Sequence, residues 1–433
     1  MIRTETFTSV GTDTLYVLVP KVASGMAALF LQLYIIRHVD PAAYGTFGLC
    51  LTCLIFFESF IGSAFDLGLL REAPSLRADG VLRFSSLERS AIVLKLTVGL
   101  GFLIPAAYFG EWLGEHIFHQ PNGTLTFIAV VLAGTSILLL RSVQISFQIS
   151  RQFRLVGAVD LVHTFLRIAL VCGLIAAGHT SPTVLISAYT VAALIVAVGF
   201  GFTLFKEAAY LSWCNITERK RLTHYGGGVL MVGAFSLALS SVDRFALAIL
   251  STPVEVGLYQ AALAIALLPE LVGTGLALVL SPRITAYCQA GLFSDFFLKL
   301  QRNIFLASGL IFVAGILLTK PIGSLIFPDR YRAAIDLIVI LLPAGLAGLL
   351  AFPAAVTFLA FFSLRTLFLI DCFMAPFLLI AYYYAAKGGG AVAVAWVTVA
   401  VRCIKALAQH TLTATLARRM DLRCGETHGP GSV

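Results

Sequence analysis

Long apolar runs alternate with short polar segments along the whole chain, and these runs determine the elements that we predict. A helix needs about 20 mostly apolar residues to cross the hydrocarbon core of a bilayer. Runs of that length predict spanning helices at residues 14–36, 44–67, 90–110, 124–149, 158–178, 183–205, 226–250, 256–281, 303–320, 334–361, 366–386 and 389–417. The predicted fold class is therefore an all-α integral membrane protein with about 12 transmembrane helices.

The composition supports a membrane location. Hydrophobic residues make up 59% of the chain and charged residues 12%, whereas a soluble domain has about 25% charged residues. The mean hydropathy is +0.94. The net charge of +8 does not indicate nucleic-acid binding, because the basic residues lie in short loops between apolar runs, as membrane topology requires. A soluble enzyme is excluded, and no nucleic-acid partner is expected.

Part of the sequence is repeated. The segment Pro41–Glu58 returns 212 residues later as Pro253–Glu270, with matching proline, glycine, aromatic and glutamate positions and no gap. A weaker match relates Asp160 to Asp371 at an offset of 211 residues. Internal repeats in an apolar chain are typical of transporters. Because each repeat holds an even number of predicted spans, both enter the membrane in the same direction, and we predict two parallel six-helix bundles.

The repeat divides the chain into regions. We predict an N-terminal six-helix bundle at residues 1–205, a linker at 206–225, a C-terminal six-helix bundle at 226–417 and a polar tail at 418–433. Of the 30 lysines and arginines, 18 lie in one set of loops and tails and 5 in the other. Because basic residues concentrate on the cytoplasmic side of membrane proteins, we predict that both termini, the linker and the tail are cytoplasmic.

Sequence motifs for several kinds of catalysis are absent from the chain. It contains no GxxxxGK[ST] phosphate-binding loop, no HExxH motif and no cysteine or histidine cluster with metal-ligand spacing. A membrane glycosyltransferase or polymerase would expose polar catalytic residues on a sizeable external loop, and the longest such predicted loop, Glu111–Gly123, has few. We therefore predict no enzymatic activity, no cofactor and no metal.

Apart from Lys320, which is the last residue of its span and is counted with the loops, seven basic residues fall inside the predicted spans. Each of them would cost about 2.5–3.5 kcal/mol at the bilayer centre. Lys95 lies near one end of its span, so we expect its ammonium group to reach the interface and to be structural. Asp243 and Arg244 are adjacent near a helix end, where neighbours would cap them or a ligand would bind. With Arg37 from a predicted external loop, the predicted substrate-binding set is Lys21, Arg37, Arg141, Arg167, Arg244, Arg402 and Lys405.

Two groups of these residues have informative spacing. Arg402 and Lys405 share one helix face and repel each other, which favours an anionic partner. Asp160, His163 and Arg167 form one stripe of the fifth predicted span. Either an internal ion pair that fixes helix packing or a polar cavity explains that stripe.

Acidic residues recur at corresponding positions of the two repeats. Asp160 corresponds to Asp371, and Glu58 corresponds to Glu270. Repeated acids suit a central polar chamber, although the two glutamates would equally suit helix contacts. The residues that we predict for ion coupling or gating are Asp160, His163, Asp371, Glu58 and Glu270.

Three segments carry motifs of a known family. Ile36–Gly45 (IRHVDPAAYG), with Asp40 in place of the usual glycine, is similar to the R-x-L-G-P-x-x-Y/F-G turn after the first span of bacterial polysaccharide-export flippases of the Wzx type. Val242–Arg244 followed by Val256–Ala262 resembles their D-R … V-G-x-Y-x-x-A pattern. Ile326–Ala334 (IFPDRYRAA) is similar to their I-F-G-x-x-Y-x-x-A segment, with proline in place of glycine.

The resemblance implies a location in the bacterial inner membrane and the two-bundle fold shared with multidrug and toxic compound extruders. It also implies an alternating-access flippase, which carries a polyprenyl-diphosphate-linked oligosaccharide to the outer leaflet for O-antigen, capsule or exopolysaccharide assembly. The cationic residues would hold the diphosphate in a central cavity. Membrane lipid, a polysaccharide polymerase and a chain-length regulator are the implied partners. Two alternatives stay open: an ion-coupled multidrug or metabolite exporter of the same fold, and a scaffold subunit of a polysaccharide assembly complex.

Overall fold

The computed structural model describes residues 7–62, 65–66, 68–70, 81–120, 122–150, 152–207, 233, 235–273, 276, 287, 293–361 and 364–427. Within these ranges the regular structure is helical throughout. The chain forms two compact units, Met1–Ser241 and Val242–Val433. Most of the predicted linker at 206–225 lies outside the described residues, so its boundaries stay a prediction.

The first unit contains seven labelled helices among the described residues. They are α1 (Phe7–His38), α2 (Pro41–Phe57), α3 (Val81–Gly101), α4 (Leu103–Leu113), α5 (Gly123–Ile149), α6 (Phe153–Ala176) and α7 (Pro182–Glu207). Two helices end in a wider turn of π-helix, Glu58–Gly62 after α2 and Gly114–Phe118 after α4. Such π-helical turns are rare and are frequent at functional sites.

The second unit contains five labelled helices among the described residues. They are α8 (Val242–Leu250), α9 (Pro253–Ala266), α10 (Phe293–Ile326), α11 (Arg332–Phe361) and α12 (Leu364–Thr427), with a short 3-10 turn at Asp329–Tyr331 before α11. Helix α12 is interrupted at Gly390, whose φ of 55° and ψ of −145° are not helical. This positive φ favours glycine because a side chain would be strained there.

Both copies of the repeated segment begin a helix in the same way. Pro41 starts α2 and Pro253 starts α9, where the missing proline N–H is not needed. The preceding residues, Asp40 and Thr252, have extended backbone conformations. The Thr252 hydroxyl also accepts a hydrogen bond from the Glu255 N–H and caps α9. The repeated proline therefore marks a helix start in each unit.

Nine helices among the described residues are long and apolar enough to cross a membrane. Six lie in the first unit and match the first six predicted spans. The segment Phe368–Thr415 has 48 residues, about 72 Å of helix, and the break at Gly390 separates the two spans predicted there. The spans predicted at 226–250 and 256–281 lie partly outside the described residues, so the total of about 12 stays a prediction.

One predicted span is much shorter than the helix that contains it. The apolar run predicted residues 303–320, whereas α10 extends over Phe293–Ile326. The extra first turns are amphipathic, and their Phe293 and Phe297 pack with Phe352 of α11 in a buried cluster. A hydropathy run finds only the uniformly apolar part of such a helix.

Helix α5 lies at the centre of the first unit and packs against α2, α3, α4 and α7. Its most apolar stretch is 56% buried, whereas the corresponding stretch of α10 is only 11% buried. Large apolar side chains such as Leu310 and Leu325 are exposed on α10. Apolar exposure of this extent is expected where lipid, rather than water, covers the surface.

Candidate functional site: charged clusters within the two units

An accessible ion pair joins α5 to the end of α2 in the first unit. The Arg141 Nε donates a hydrogen bond to the Glu58 Oε1 at 2.6 Å, and its Nη1 donates to the Gln144 Oε1 at 3.1 Å. Glu58 is the first residue of the π-helical turn. The Arg141 side chain is 45% exposed and that of Glu58 is 30% exposed. A third group can therefore approach this pair.

A second ion pair in the same unit is closed. Lys95 of α3 contacts Asp66, and its Nζ donates to the Ser142 Oγ of α5 at 3.0 Å. The Lys95 side chain is 1% exposed and that of Asp66 is 14% exposed. The prediction that Lys95 reaches the membrane interface is wrong, because α5 and Asp66 bury its ammonium group inside the unit. Asp66 lies in a predicted span, but no acidic residue occupies the corresponding position of the second repeat, so the repeat did not single it out.

The stripe on α6 does not form an internal ion pair, since Asp160 and Arg167, both described, are not paired with each other. The Arg167 guanidinium carbon lies 4.9 Å from the centroid of the buried Tyr189 ring on α7, a favourable cation–π contact. The Arg167 Nε and the His163 Nε2 are buried and have no hydrogen-bond partner in the described part of the chain. Asp160 interacts electrostatically with Arg141 instead.

Arg402 and Lys405, the two bases on one face of α12, each have an acidic partner in the second unit. Arg402 contacts Glu270 through its Nη1, and the Lys405 Nζ lies 3.0 Å from the Asp371 Oδ1. The Arg402 side chain is 22% exposed and that of Glu270 is 38% exposed. The anionic partner that the spacing of the two bases favours is thus supplied, in this structure, by two carboxylates of the same unit.

Asp243 at the start of α8 belongs to a buried hydroxyl cluster. Its Oδ2 accepts a hydrogen bond from the Tyr259 hydroxyl at 2.6 Å, and that hydroxyl lies 2.9 Å from the Thr398 Oγ1. The Tyr382 hydroxyl lies 3.1 Å from the same Thr398 oxygen. The Asp243 Oδ1 is buried with no hydrogen-bond partner in the described residues. Neighbours therefore cap one oxygen of this carboxylate, as the simpler interpretation expected.

The hydroxyl cluster has no counterpart at the corresponding position of the first unit. Tyr259 corresponds to Phe47 in the repeat, and phenylalanine has no hydroxyl. Phe47 instead packs edge-on against Tyr189 at 6.0 Å between ring centroids. The tyrosine in the second copy was the available signal for this cluster, because the other copy shows that an apolar ring suffices for packing.

The repeated glutamates pair with bases from helices that do not correspond. Glu58 pairs with Arg141 on α5, whereas Glu270 pairs with Arg402 on α12. At the 211-residue offset, Arg402 corresponds to Val191 and Lys405 to Leu194 on α7. The two glutamates are therefore repeated in the sequence, whereas the two arginines that pair with them are not.

The other predicted substrate-binding residues lie elsewhere. Lys21 and Arg37 are both exposed on α1, and their 16-residue separation corresponds to about 24 Å along a helix. One diphosphate group therefore cannot bind both. Arg244 of α8 is half-buried and interacts electrostatically with Tyr382. Within the second unit, this brings Arg244 close to the cluster around Asp243.

Comparison with known proteins identifies the family. The family model described as polysaccharide biosynthesis protein matches residues 10–287. The chain belongs to this polysaccharide biosynthesis family. The resemblance to polysaccharide-export flippases is therefore confirmed at the level of the family. No curated protein sequence matches this chain.

Solved structures show which fold this family member has. It is similar to a structure described as the lipid II flippase MurJ in an inward closed conformation, with a TM-score of 0.72, 14% identity, and coverage of 96% of this chain and 93% of that chain. A MATE transporter in complex with MaD3S gives a TM-score of 0.67 and 13% identity, with 94% and 96% covered. A MOP superfamily transporter from Pyrococcus furiosus gives a TM-score of 0.64 and 11% identity, with coverage of 94% of this chain and 96% of that chain.

At these identities the likeness concerns the fold. It confirms the predicted fold class, an all-α membrane protein with the two-lobed fold of the MurJ and MATE proteins. With nine candidate spans among its described residues, the chain is a multi-pass membrane protein.

Proposed function

We propose that this protein is a flippase that moves a polyprenyl-diphosphate-linked oligosaccharide from the cytoplasmic to the outer leaflet of the bacterial inner membrane. The transferred glycan would be used for a surface polysaccharide: O-antigen, capsule or exopolysaccharide. Family membership and the fold support a role in this process. The observation that carries the proposal is the pair of accessible arginines within the spans, Arg141 and Arg402, each held by a carboxylate.

The chemistry of the substrate explains why such arginines are needed. A diphosphate carries negative charge that hydrocarbon cannot solvate, so its passage requires a protein surface that replaces water. Arginine suits this purpose because its planar guanidinium donates two parallel hydrogen bonds to phosphate oxygens. The buried amide of Gln144 accepts a hydrogen bond from Arg141 and helps to orient its guanidinium. Flipping breaks no covalent bond, so the proposal requires neither an enzymatic step nor a cofactor.

The proposed cycle uses alternating access, with both termini in the cytoplasm. The diphosphate would bind from the cytoplasmic leaflet, and the lipid tail would stay in the bilayer as the headgroup crosses. A polysaccharide polymerase and a chain-length regulator would act on the product on the outer side. Asp160, His163 and Asp371 are the proposed groups for coupling to an ion gradient, and Glu58 and Glu270 are proposed for gating.

A deletion strain tests the proposal. Deletion is expected to stop surface polysaccharide production and to leave diphosphate-linked repeat units on the cytoplasmic leaflet. Complementation with Arg141→Gln or Arg402→Gln should fail, although both variants should reach the membrane in normal amounts. Lys387→Gln is the matched control, because Lys387 is an exposed base of α12 whose Nζ lies 5.7 Å from the centroid of the Tyr383 ring. Normal export by both arginine variants would refute the proposed role of these arginines.

An ion-coupled multidrug or metabolite exporter is the second candidate. The fold similarity to MATE transporters favours it, as does the buried Asp243 oxygen, which has no partner among the described residues. Drug susceptibility separates the two candidates. A deletion strain that becomes drug-sensitive while its glycan export is unchanged would support the exporter and contradict the flippase.

A further inference from the structure

We propose that Glu58 and Glu270 are internal counter-ions, which occupy the anion sites of Arg141 and Arg402 until a phosphate group of the substrate displaces them. This inference rests on the proposed flippase function, because it needs an anionic substrate. It assigns the two glutamates to the control of substrate affinity rather than to ion coupling or to fixed helix contacts.

The first observation is the pattern of pairing. The two glutamates occupy corresponding positions of the repeat, and among the described residues each contacts one arginine. The arginines come from helices that do not correspond, α5 in one unit and α12 in the other. A contact that merely fixed helix packing would be expected to join the same two helices in both units. In each unit, the glutamate near the end of the second helix of the repeat contacts an arginine.

The second observation is that these pairs are open. In the first pair, the side chain of Arg141 is 45% exposed and that of Glu58 is 30% exposed. In the second pair, the side chain of Arg402 is 22% exposed and that of Glu270 is 38% exposed. By contrast, Lys95 in its pair with Asp66 is 1% exposed. The Arg141 guanidinium donates only to Glu58 and Gln144 among the described residues. It therefore keeps further N–H groups for an incoming phosphate.

The third observation is where the glutamates lie along the chain. Glu58 begins a π-helical turn, and Glu270 follows an interruption after α9, which ends at Ala266. Glu270 also packs against Gly348 of α11, where an added Cβ would lie 2.9 Å from its Cδ. The backbone of Glu58 itself is helical, with φ of −61° and ψ of −46°, so both glutamates lie where the regular α-helical hydrogen-bond pattern changes rather than where the chain is loose. Such departures from a regular α-helix are frequent at functional sites.

These features give the exchange a physical purpose. With substrate absent, each carboxylate neutralises its arginine, so the empty protein need not expose a bare cation to the membrane during its return step. With substrate present, a phosphate oxygen replaces the carboxylate, and the positive charge stays compensated. The net affinity is then the difference between two anions that compete for one guanidinium.

Binding of farnesyl diphosphate to the purified full-length protein in detergent tests the inference. Removing the competing carboxylate in Glu58→Gln or Glu270→Gln should tighten binding roughly threefold to fivefold, the range expected for a part-exposed ion pair. Flipping of the same lipid in reconstituted vesicles should become slower, since the product is released less readily. The double variant Arg141→Gln/Glu58→Gln should bind no more tightly than Arg141→Gln alone.

Glu255→Gln provides the matched control, because Glu255 is a carboxylate of the second unit that binds Ser251 and the Ala391 N–H. It should leave the affinity unchanged. Unfolding temperatures of all variants show whether a change in affinity reflects damage to the fold, and Glu58→Asp, which keeps the charge, should restore the original affinity.

The outcomes separate this inference from the proposed function. If the original protein binds farnesyl diphosphate and Arg141→Gln weakens that binding, but Glu58→Gln and Glu270→Gln do not tighten it, the counter-ion inference is overturned and the flippase proposal survives. If the original protein does not bind the diphosphate at all, both are overturned. Tighter binding in the glutamine variants, abolished in the double variant, supports both.

Discussion

The closed pair of Lys95 and Asp66 should contribute much more to stability than the open pairs. Lys95 is 1% exposed, and its ammonium group has two partners, the Asp66 carboxylate and the Ser142 hydroxyl at 3.0 Å. Removing one member of a buried pair leaves the other charge without compensation, which costs about 3–5 kcal/mol. We therefore expect Asp66→Asn and Lys95→Met each to reduce the free energy of unfolding by about that amount.

The double variant distinguishes charge compensation from simple loss of packing. Lys95→Met/Asp66→Asn removes both charges, and replacing a buried ion pair by uncharged groups is often neutral or even stabilising. It should therefore recover most of the stability that either single variant loses. The measurement is equilibrium unfolding of the purified protein in detergent, followed by helical circular dichroism.

Lys387→Met is the control variant for Lys95→Met. Lys387→Met removes a base that rests on the exposed Tyr383 ring, 5.7 Å from its centroid, and should cost no more than about 1 kcal/mol. If Lys95→Met costs no more than this control, the ammonium group is solvated in the folded protein and the closed pair does not exist. If the double variant is as unstable as the sum of the single variants, the two charges do not compensate each other.

Two further predictions concern the second unit. Gly390→Ala should destabilise the protein by about 1–3 kcal/mol, because φ is 55° and the new Cβ would meet the Glu255 carboxylate; Gly388→Ala, which has open space around it, should have no such effect in the same thermal unfolding assay. Tyr259→Phe should cost about 1–3 kcal/mol because it leaves Asp243 buried without its hydrogen bond; unchanged unfolding would show that Asp243 has another donor.

Much of the fold could be predicted because hydropathy is a local property of the chain. Six spans of the first unit match apolar runs, since a lipid-facing helix must be apolar along most of its length. The amphipathic start of α10 could not be found in this way, because its apolar side chains cover only one face. The break at Gly390 was visible only as a glycine-rich boundary between two predicted spans.

The charged clusters were only half predictable. The repeat singled out Glu58 and Glu270, because duplication preserves the residue type at a position. It did not identify the arginines that pair with them. The helix that supplies the arginine, α5 in the first unit and α12 in the second, depends on how helices that are distant in sequence pack within each unit. The prediction for Lys95 failed for a related reason. Its distance from the end of its own helix suggested a path to the interface, whereas Asp66 and α5 determine its surroundings.

The ion pairs also change what the cost of a charge in the membrane implies. From the sequence, seven bases within spans required compensation by protein, water or a ligand. In the structure, Lys95, Arg141, Arg402 and Lys405 each have a carboxylate partner in their own unit. A charge within a span is therefore not by itself a sign of a ligand. Among paired bases, accessibility distinguishes a group that can exchange its partner from one that only holds helices together, and by that criterion Arg141 and Arg402 are better candidates than Lys95.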